Sequence, residues 1–210
     1  IPNDRILRYD ETDDQVSIFR HPCGYTNGHT IDRQGRLVSC EHGGRRVSRT
    51  EFDGSVTTVA GSYDGKRLNS PNDVVVKSDG SIWFTDPTYG IDSDLEGFVA
   101  ESEIGACHVY RVDGETGEIT IATDALVRPN GLAFSPDEQF LYVSDTGASH
   151  VKGHPAQIRV FEVVDGKTLR GGGEFATCTN GFFDGFRLDT TGRIWTSAGD
   201  GVHVYDPDGT

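Results

Sequence analysis

Four polar residues recur at similar positions in repeated segments of this chain of 210 residues. They are Asn27, Asn72, Asn130 and Asp184, and successive members lie 45, 58 and 54 residues apart. Three of the four are followed directly by Gly. Amide and carboxylate oxygens suit Ca²⁺, which binds about 6–8 oxygen atoms, whereas zinc prefers Cys and His. If the fold brings these residues together, the chemistry that they support is binding of a divalent cation.

Each of these residues opens a unit with the same strand pattern. After Asn130 come the apolar residues 132–134, a Ser-Pro-Asp turn and the apolar run 140–143. A second pair of alternating segments follows in most units, such as 108–112 with 119–121. Four antiparallel strands in about 50 residues are typical of a β-propeller blade. A β-sandwich is the alternative, but it does not explain a polar residue at the same place in each unit.

The number of units predicts the architecture. An outer hairpin at 5–19 precedes three full units, and a three-strand unit ends the chain; the units cover about 26–59, 71–123, 129–176 and 184–205. We therefore predict one all-β domain over 1–210, covering about two thirds of a six-bladed β-propeller. Inner strands of a propeller line its central channel, so Asn72, Asn130 and Asp184 are expected to converge there. At Asn27 the pattern departs, because His29 stands where the other units have an apolar residue.

Two long loops are expected to overhang the channel. They run from 86 to 106 and from 145 to 156, each between the second and third strand of a unit. Long loops in compact domains often form binding walls. Tyr89, His42 and Asp145 each lie at a loop between the second and third strand of a unit, and we predict that they surround a substrate. Loop packing and strand-end capping are the alternative roles.

Composition excludes some functions and leaves the cysteines open. The net charge of −14 argues against binding nucleic acid through a basic face. No apolar run reaches the roughly 18 residues of a membrane span. The four cysteines form no CxxC pair and have no zinc spacing, which favours structural or free thiols over disulfides or catalysis.

An ordered set of motifs resembles one family. The motifs are Ser70-Pro71-Asn72-Asp73, residues 83–90, Arg128-Pro129-Asn130-Gly131 and Phe183-Asp184-Gly185. They look like the gluconolactonase family, also called the senescence marker protein 30/gluconolactonase/luciferin-regenerating-enzyme family, over essentially the whole chain. The resemblance implies a six-bladed propeller with one catalytic cation, usually Ca²⁺ but in principle another divalent metal.

The resemblance also implies residue roles. Asn130 and Asp184 correspond to metal ligands, and Asn72 to a channel residue that contacts substrate or the metal-bound water. The remaining ligand of the family, a Glu, is expected before residue 1. Ser70 stands where the family has a sugar-contacting Arg, so the substrate need not be gluconolactone itself.

The predicted activity is hydrolysis of a sugar lactone, a small-molecule substrate, with no nucleic-acid or membrane partner. The cation would polarise the lactone carbonyl, and Asp184 is the candidate general base for the attacking water. Hydroxide formed on the cation is the alternative nucleophile. Two other functions remain open, namely another metal-dependent esterase or phosphotriesterase on the same propeller and a non-catalytic binding scaffold. A strictosidine-synthase-like condensing enzyme is less favoured, because it needs a Glu acid/base and no metal.

Overall fold

The computed structural model describes residues 3–210, so residues 1 and 2 of the predicted domain lie outside the described part. Nineteen strands account for just under half of these residues. The helical elements are short: α1 spans Tyr89–Asp92, and a single 3-10 turn spans Gly147–Ser149. Both lie in the two loops that the sequence analysis singled out.

Three sheets have four antiparallel strands each, paired in chain order. The first comprises β3 (Thr26–Ile31), β4 (Leu37–Glu41), β5 (Arg46–Thr50) and β6 (Val56–Ala60). The second comprises β9 (Val74–Val76), β10 (Ile82–Asp86), β11 (His108–Val112) and β12 (Ile119–Thr123). The third comprises β13 (Pro129–Phe134), β14 (Phe140–Asp145), β15 (Gln157–Val164) and β16 (Thr168–Thr177). This is the four-strand unit that the repeat predicts.

The remaining strands form smaller sheets. A three-stranded sheet near the C-terminus comprises β17 (Phe186–Leu188), β18 (Ile194–Ala198) and β19 (Gly201–Tyr205). The hairpins are β1 (Ile6–Asp10) with β2 (Gln15–Arg20), and β7 (Ser62–Tyr63) with β8 (Lys66–Arg67). The sequence predicts the first hairpin but not the second, which joins two of the larger sheets.

The innermost strands lie side by side in chain order. Strand β3 contacts β9, β9 contacts β13, and β13 contacts β17. Four sheets are thus arranged as in a propeller, which confirms the all-β prediction and the propeller-like arrangement. The total of six blades stays a prediction.

Hydrophobic cores fill the spaces between neighbouring sheets. Trp83 of β10 is fully buried and meets Phe134 of β13 edge-to-face, with ring centroids 5.5 Å apart. Around them pack buried apolar residues from both sheets, namely Val109, Leu126, Leu132, Leu141, Val143 and Phe161. Similar clusters lie between the first and second sheets and between the third and fourth. Packing of this kind fixes each inner strand relative to the next.

The four cysteines agree with the sequence analysis. All four cysteines are free thiols, and Cys23, Cys40 and Cys178 are buried. Within residues 3–210, no helix is long and apolar enough to cross a membrane.

Candidate active site

The polar residues that open two of the inner strands lie in β-bulges. Pairing of β3 with β4 shifts register between Thr26 and His29, and pairing of β13 with β14 shifts between Pro129 and Leu132. Asn27-Gly28 and Asn130-Gly131 occupy these shifts. A bulge leaves a residue out of the regular pleat and can re-aim its side chain. This geometry lets Asn27 and Asn130 face the channel from the ends of otherwise regular strands.

The Gly after each of these Asn residues is required by a close backbone approach. A Cβ on Gly28 would lie 2.5 Å from the carbonyl oxygen of Asn72, and one on Gly131 would lie 2.3 Å from that of Asp184. Gly28 also donates its backbone N–H to the Asn72 carbonyl at 2.7 Å. Each Asn-Gly pair therefore brings one blade's tip against the tip residue of the next blade.

The tips meet in one cavity, here called the channel cavity. Its volume is about 560 Å³, and it is lined by Asn27, Gly28, His29, Asn72, Asp73, Asn130, Asp184, Gly185, Phe186, Arg187 and Trp195. The predicted convergence of Asn72, Asn130 and Asp184 on a common cavity is thus found. Asn130 and Asp184 come from neighbouring blades, and the side-chain amide of Asn130 lies close enough to the Asp184 carboxyl group to lower its pKa.

Acidic groups give the channel cavity its electrostatic character. Partial burial raises the pKa of Asp184 above its ordinary value, and the nearby side-chain amide of Asn130 offsets part of this rise. Burial also raises the pKa of Asp73, which is only 6% exposed. Arg187 counters that effect, because its Nη1 lies 3.6 Å from Asp73 Oδ2. Burial lowers the pKa of His29, so the imidazole adds little positive charge at neutral pH.

A second cavity adjoins the first on the side of the long loops, and we call it the loop cavity. Its volume is about 480 Å³, and it is lined by Tyr89, Asn130, Thr146, Ser149, Gly181, Phe182, Asp184, Ser197, Ala198 and Gly199. Asn130 and Asp184 thus line both cavities. A small molecule in the loop cavity would reach these two side chains directly.

Tyr89 is held in the wall of the loop cavity. Its hydroxyl is hydrogen-bonded to the hydroxyl of Thr146 at 2.5 Å and to that of Ser149 at 3.2 Å. The guanidinium of Arg128 lies over its ring, 5.5 Å from the centroid. These contacts join the loop that carries α1 to the loop of the next blade.

Two predicted substrate contacts lie outside both cavities. His42 is fully buried, and its Nε2 lies 3.2 Å from Asn27 Nδ2 and 3.4 Å from Asn72 Nδ2. Burial lowers the pKa of His42 to about 4. The ring therefore stands behind the channel wall rather than in it.

Asp145 is the other predicted substrate contact outside both cavities, and its carboxylate oxygens cap the backbone. Oδ1 accepts hydrogen bonds from the N–H groups of Arg128 and Gly147, and Oδ2 accepts one from that of Val127. The His154 ring also contacts Oδ2, at 3.1 Å. These contacts correspond to the strand-end capping that the sequence analysis gave as the alternative role.

The donor set fits a hard divalent cation better than a transition metal. Among residues 3–210 there is no group of three or more His, Cys, Asp or Glu side chains that could hold a metal ion. The channel cavity instead offers the amide oxygens of Asn72 and Asn130 and the carboxylate of Asp184. Such oxygens suit Ca²⁺, which takes about 6–8 oxygens and completes its shell with water. The residues present would supply part of that shell.

Three charged residues near the site were not predicted. Asp73 and Arg187 line the channel cavity, and Glu96 lies in the long loop, where the charge of Asp184 contributes to raising its pKa after the larger effect of burial. Asp73 carried a signal, because it replaces the Gly that follows the other three tips. No sequence pattern pointed to Glu96, since its position depends on how the long loop folds back.

Comparison with known proteins agrees with this arrangement. The sequence profile described as the SMP-30/Gluconolactonase/LRE-like region matches residues 1–210. The chain belongs to this family. A gluconolactonase from Xanthomonas campestris has a solved structure that superposes with a TM-score of 0.91 at 42% identity, covering 99% of this chain and 67% of that one. The predicted family membership is thereby confirmed.

Two further known proteins match over a comparable range. A gluconolactonase from Zymomonas mobilis is 29% identical over 225 residues, which covers 99% of this chain and 62% of the relative. A calcium-binding protein, regucalcin, from Agrobacterium tumefaciens superposes with a TM-score of 0.74 at 20% identity and covers 65% of that chain. This last likeness shows the fold alone. The chain thus spans a little under two thirds of the length of the curated gluconolactonase.

Proposed function

We propose that the protein is a metal-dependent lactonase that opens a sugar lactone by attack of water on the lactone carbonyl. The observation that carries the proposal is the position of Asn130 and Asp184, which come from neighbouring blades and line both the channel cavity and the loop cavity. Membership of a family that contains gluconolactonases supports the same reaction class. In this proposal the chain is one domain over 1–210, forming about two thirds of a six-bladed ring.

Asn130, Asp184 and Asn72 are the proposed cation ligands, and Ca²⁺ is the preferred ion. When bound, the cation would supply Lewis acidity that polarises the lactone carbonyl and stabilises the developing oxyanion. The negative charges of Asp73 and Glu96 nearby favour a cation in this part of the molecule. The side-chain oxygen of Asn130 is the atom that would face a bound cation in the channel.

Asp184 is the proposed general base. Burial raises the pKa of its carboxyl group, and a more basic carboxylate accepts the proton of the attacking water more readily. The Asp184 carboxylate lies at the boundary of the two cavities, where a lactone in the loop cavity would present its carbonyl carbon.

Tyr89 and Asn72 are the proposed direct substrate contacts, one from each cavity. The Tyr89 hydroxyl is already bonded to Thr146 and Ser149, so its ring has a fixed orientation toward a bound lactone. We assign His42 and Asp145 to the same substrate site as supporting residues, since both are buried behind the groups that face the cavities.

The direct test is hydrolysis of gluconolactone by the purified protein, followed as acid release at constant pH. Chelation should abolish turnover and restored Ca²⁺ should recover it. Asp184→Asn keeps an oxygen ligand but removes the base, so turnover should fall while cation binding persists in part. Asn130→Ala should weaken cation binding itself.

Thermal unfolding separates binding from catalysis. At a Ca²⁺ concentration of about 100 times Kd, binding should stabilise the folded state by about 2.7 kcal/mol. A protein with no Ca²⁺-dependent stabilisation and no lactone turnover would contradict the proposal and favour a binding scaffold. Metal-dependent cleavage of aryl or phosphotriester substrates without lactone turnover would instead favour the other hydrolase class.

A further inference from the structure

The imidazole of His42 contacts two amides of the channel wall at once. Its Nε2 lies 3.2 Å from Asn27 Nδ2 and 3.4 Å from Asn72 Nδ2. Asn27 and Asn72 both line the channel cavity, whereas His42 is fully buried behind them. A single ring nitrogen therefore faces the side chains of two successive blades.

The other ring nitrogen faces the long loop. Among the described residues, His42 Nδ1 has no hydrogen-bond partner with ordinary geometry, and the nearest charged group is Glu96 Oε2 at 3.6 Å. The backbone carbonyl of Glu96 also interacts with the ring. An ionised carboxylate and a carbonyl only accept hydrogen bonds. Both groups of Glu96 therefore favour a proton on Nδ1.

A neutral imidazole carries one N–H, and the second nitrogen is an acceptor. Nε2 faces two amide nitrogens, which can only donate hydrogen bonds, so Nε2 is the unprotonated nitrogen of the ring. With the proton on Nδ1, the lone pair of Nε2 accepts from the amide N–H groups of Asn27 and Asn72. An amide has its nitrogen and oxygen on opposite branches, so each side-chain oxygen then points away from the ring.

We propose that Glu96 and His42 are positioning residues that fix which way the channel amides point. Glu96 sets the tautomer of His42, and His42 turns the oxygens of Asn27 and Asn72 toward the channel. The opposite tautomer would present amide N–H groups to the channel and would repel a cation. The contacts of His42 support this orientation of the two amides by themselves, whereas its consequence for Ca²⁺ binding rests on the proposed function.

The loop packs tightly enough against His42 to transmit its own position to the ring. A Cβ on Gly90 would lie 2.5 Å from His42 Cβ and 2.7 Å from His42 Cγ. Gly97 is equally constrained, because its Cβ would lie 2.0 Å from the carbonyl oxygen of Gly90. A Gly90→Ala substitution therefore displaces the ring without removing any hydrogen-bonding group.

The first experiment identifies the tautomer by ¹⁵N NMR of protein labelled at histidine. Protonated and unprotonated ring nitrogens give well-separated signals, and the His42 pair is assigned as the one missing from His42→Gln. We expect a protonated Nδ1 and an unprotonated Nε2 at neutral pH. Protonated Nε2, or a doubly protonated ring, would overturn the proposal whether or not the protein is a lactonase.

The second experiment measures Ca²⁺ affinity by calorimetry. Residues that orient metal ligands typically contribute roughly 10–100-fold to affinity, so His42→Leu should weaken binding by that factor. His42→Gln keeps an acceptor and should recover part of the Ca²⁺ affinity that His42→Leu loses. Gly90→Ala should weaken Ca²⁺ binding although the His42 ring is intact. Glu101→Gln is the matched control, since Glu101 is exposed in the same loop and should change nothing.

The outcomes separate the two proposals. Wild-type protein that binds no Ca²⁺ but shows the expected tautomer refutes the proposed function and leaves the amide orientation standing. Wild-type protein that binds Ca²⁺ while a folded His42→Leu variant binds it equally well refutes the positioning role. If His42→Leu does not fold, the tautomer signal and Gly90→Ala decide.

Discussion

The side-chain hydroxyl of Thr85 donates a 2.7 Å hydrogen bond to the backbone carbonyl of Asn130 in the next blade. One blade further on, the hydroxyl of Ser144 makes the same contact with the carbonyl of Asp184, at 3.0 Å. Thr85 and Ser144 both precede the Asp that ends their strand. Asn130 and Asp184 are thus each held through the backbone by the preceding blade.

Thr85→Val should destabilise the protein, because in a buried setting the Asn130 carbonyl loses its donor and the Asp73 N–H loses the hydroxyl oxygen to which it donates. A lost hydrogen bond of this kind costs about 1–3 kcal/mol of unfolding free energy, which urea unfolding measures. Thr30→Val is the matched control, since Thr30 lies in a strand and makes no side-chain hydrogen bond among residues 3–210. Equal loss in both variants would mean that the contact with Asn130 contributes nothing specific.

Gly131→Ala should destabilise the protein and weaken Ca²⁺ binding, since its Cβ would lie 2.3 Å from the carbonyl oxygen of Asp184. Overpacking of this kind costs about 1–3 kcal/mol. Gly185→Ala offers a direct comparison, because a Cβ there meets nothing within 4 Å. If the two alanines prove equally harmless in chemical unfolding, the close approach of the blades is not constraining.

Asp86 should make stability depend on pH in an unusual direction. Burial raises the pKa of this fully buried carboxyl to about 7, from an ordinary value of 3.8, although the N–H groups of Asn69 and Ser70 offset part of the effect. Between these pH values the folded protein keeps a proton that the unfolded chain releases. The contribution of Asp86 to stability is therefore full below about pH 4 and is lost as pH rises through about 7.

Asp86→Asn should remove that dependence. Urea unfolding of both proteins between about pH 5 and about pH 8 gives the difference in unfolding free energy at each pH. The wild type should lose stability relative to Asp86→Asn as pH rises. A difference that stays constant, or that changes in the opposite direction, would contradict the raised pKa.

Tyr89→Phe tests the wall of the loop cavity. The substitution removes the hydrogen bonds to Thr146 and Ser149, so the ring loses its fixed orientation. A loss of about 1 kcal/mol in substrate binding corresponds to a roughly fivefold rise in KM with kcat little changed. Tyr9→Phe serves as the control, since Tyr9 is exposed on the first hairpin, where its hydroxyl donates to Asp14. A fall in kcat at constant KM would place Tyr89 in the chemical step instead.

Local patterns were sufficient to predict the hairpins within the four-stranded units. The alternation of apolar residues and turns such as Ser78-Asp79-Gly80 depend on neighbours in sequence, and the structure has β9 and β10 on either side of that turn. The recurrence of Asn72, Asn130 and Asp184 predicted a shared location for a different reason. Equivalent positions in a repeat point to the same axis.

Loop contacts could not be predicted in this way. His42 and Asp145 were placed by their position at the ends of second strands, but sequence does not show which side of the wall a side chain occupies. His42 turns behind Asn27 and Asn72, and Asp145 folds back onto the backbone of Val127 and Arg128. Both outcomes depend on tertiary packing between blades, as does the proximity of Glu96 to His42.

The hydroxyl contacts of Thr85 and Ser144 have a consequence for how such proteins can be recombined. A blade taken from a relative would bring its own tip residue but not the hydroxyl that holds that residue, since the hydroxyl belongs to the blade before it. The module that preserves the site therefore runs from the second strand of one blade to the first strand of the next. Chimaeras joined at the turn between β9 and β10, or at the turn between β13 and β14, should keep each hydroxyl with its carbonyl, whereas crossovers between the two partners, such as joints after β11 or β15, separate them.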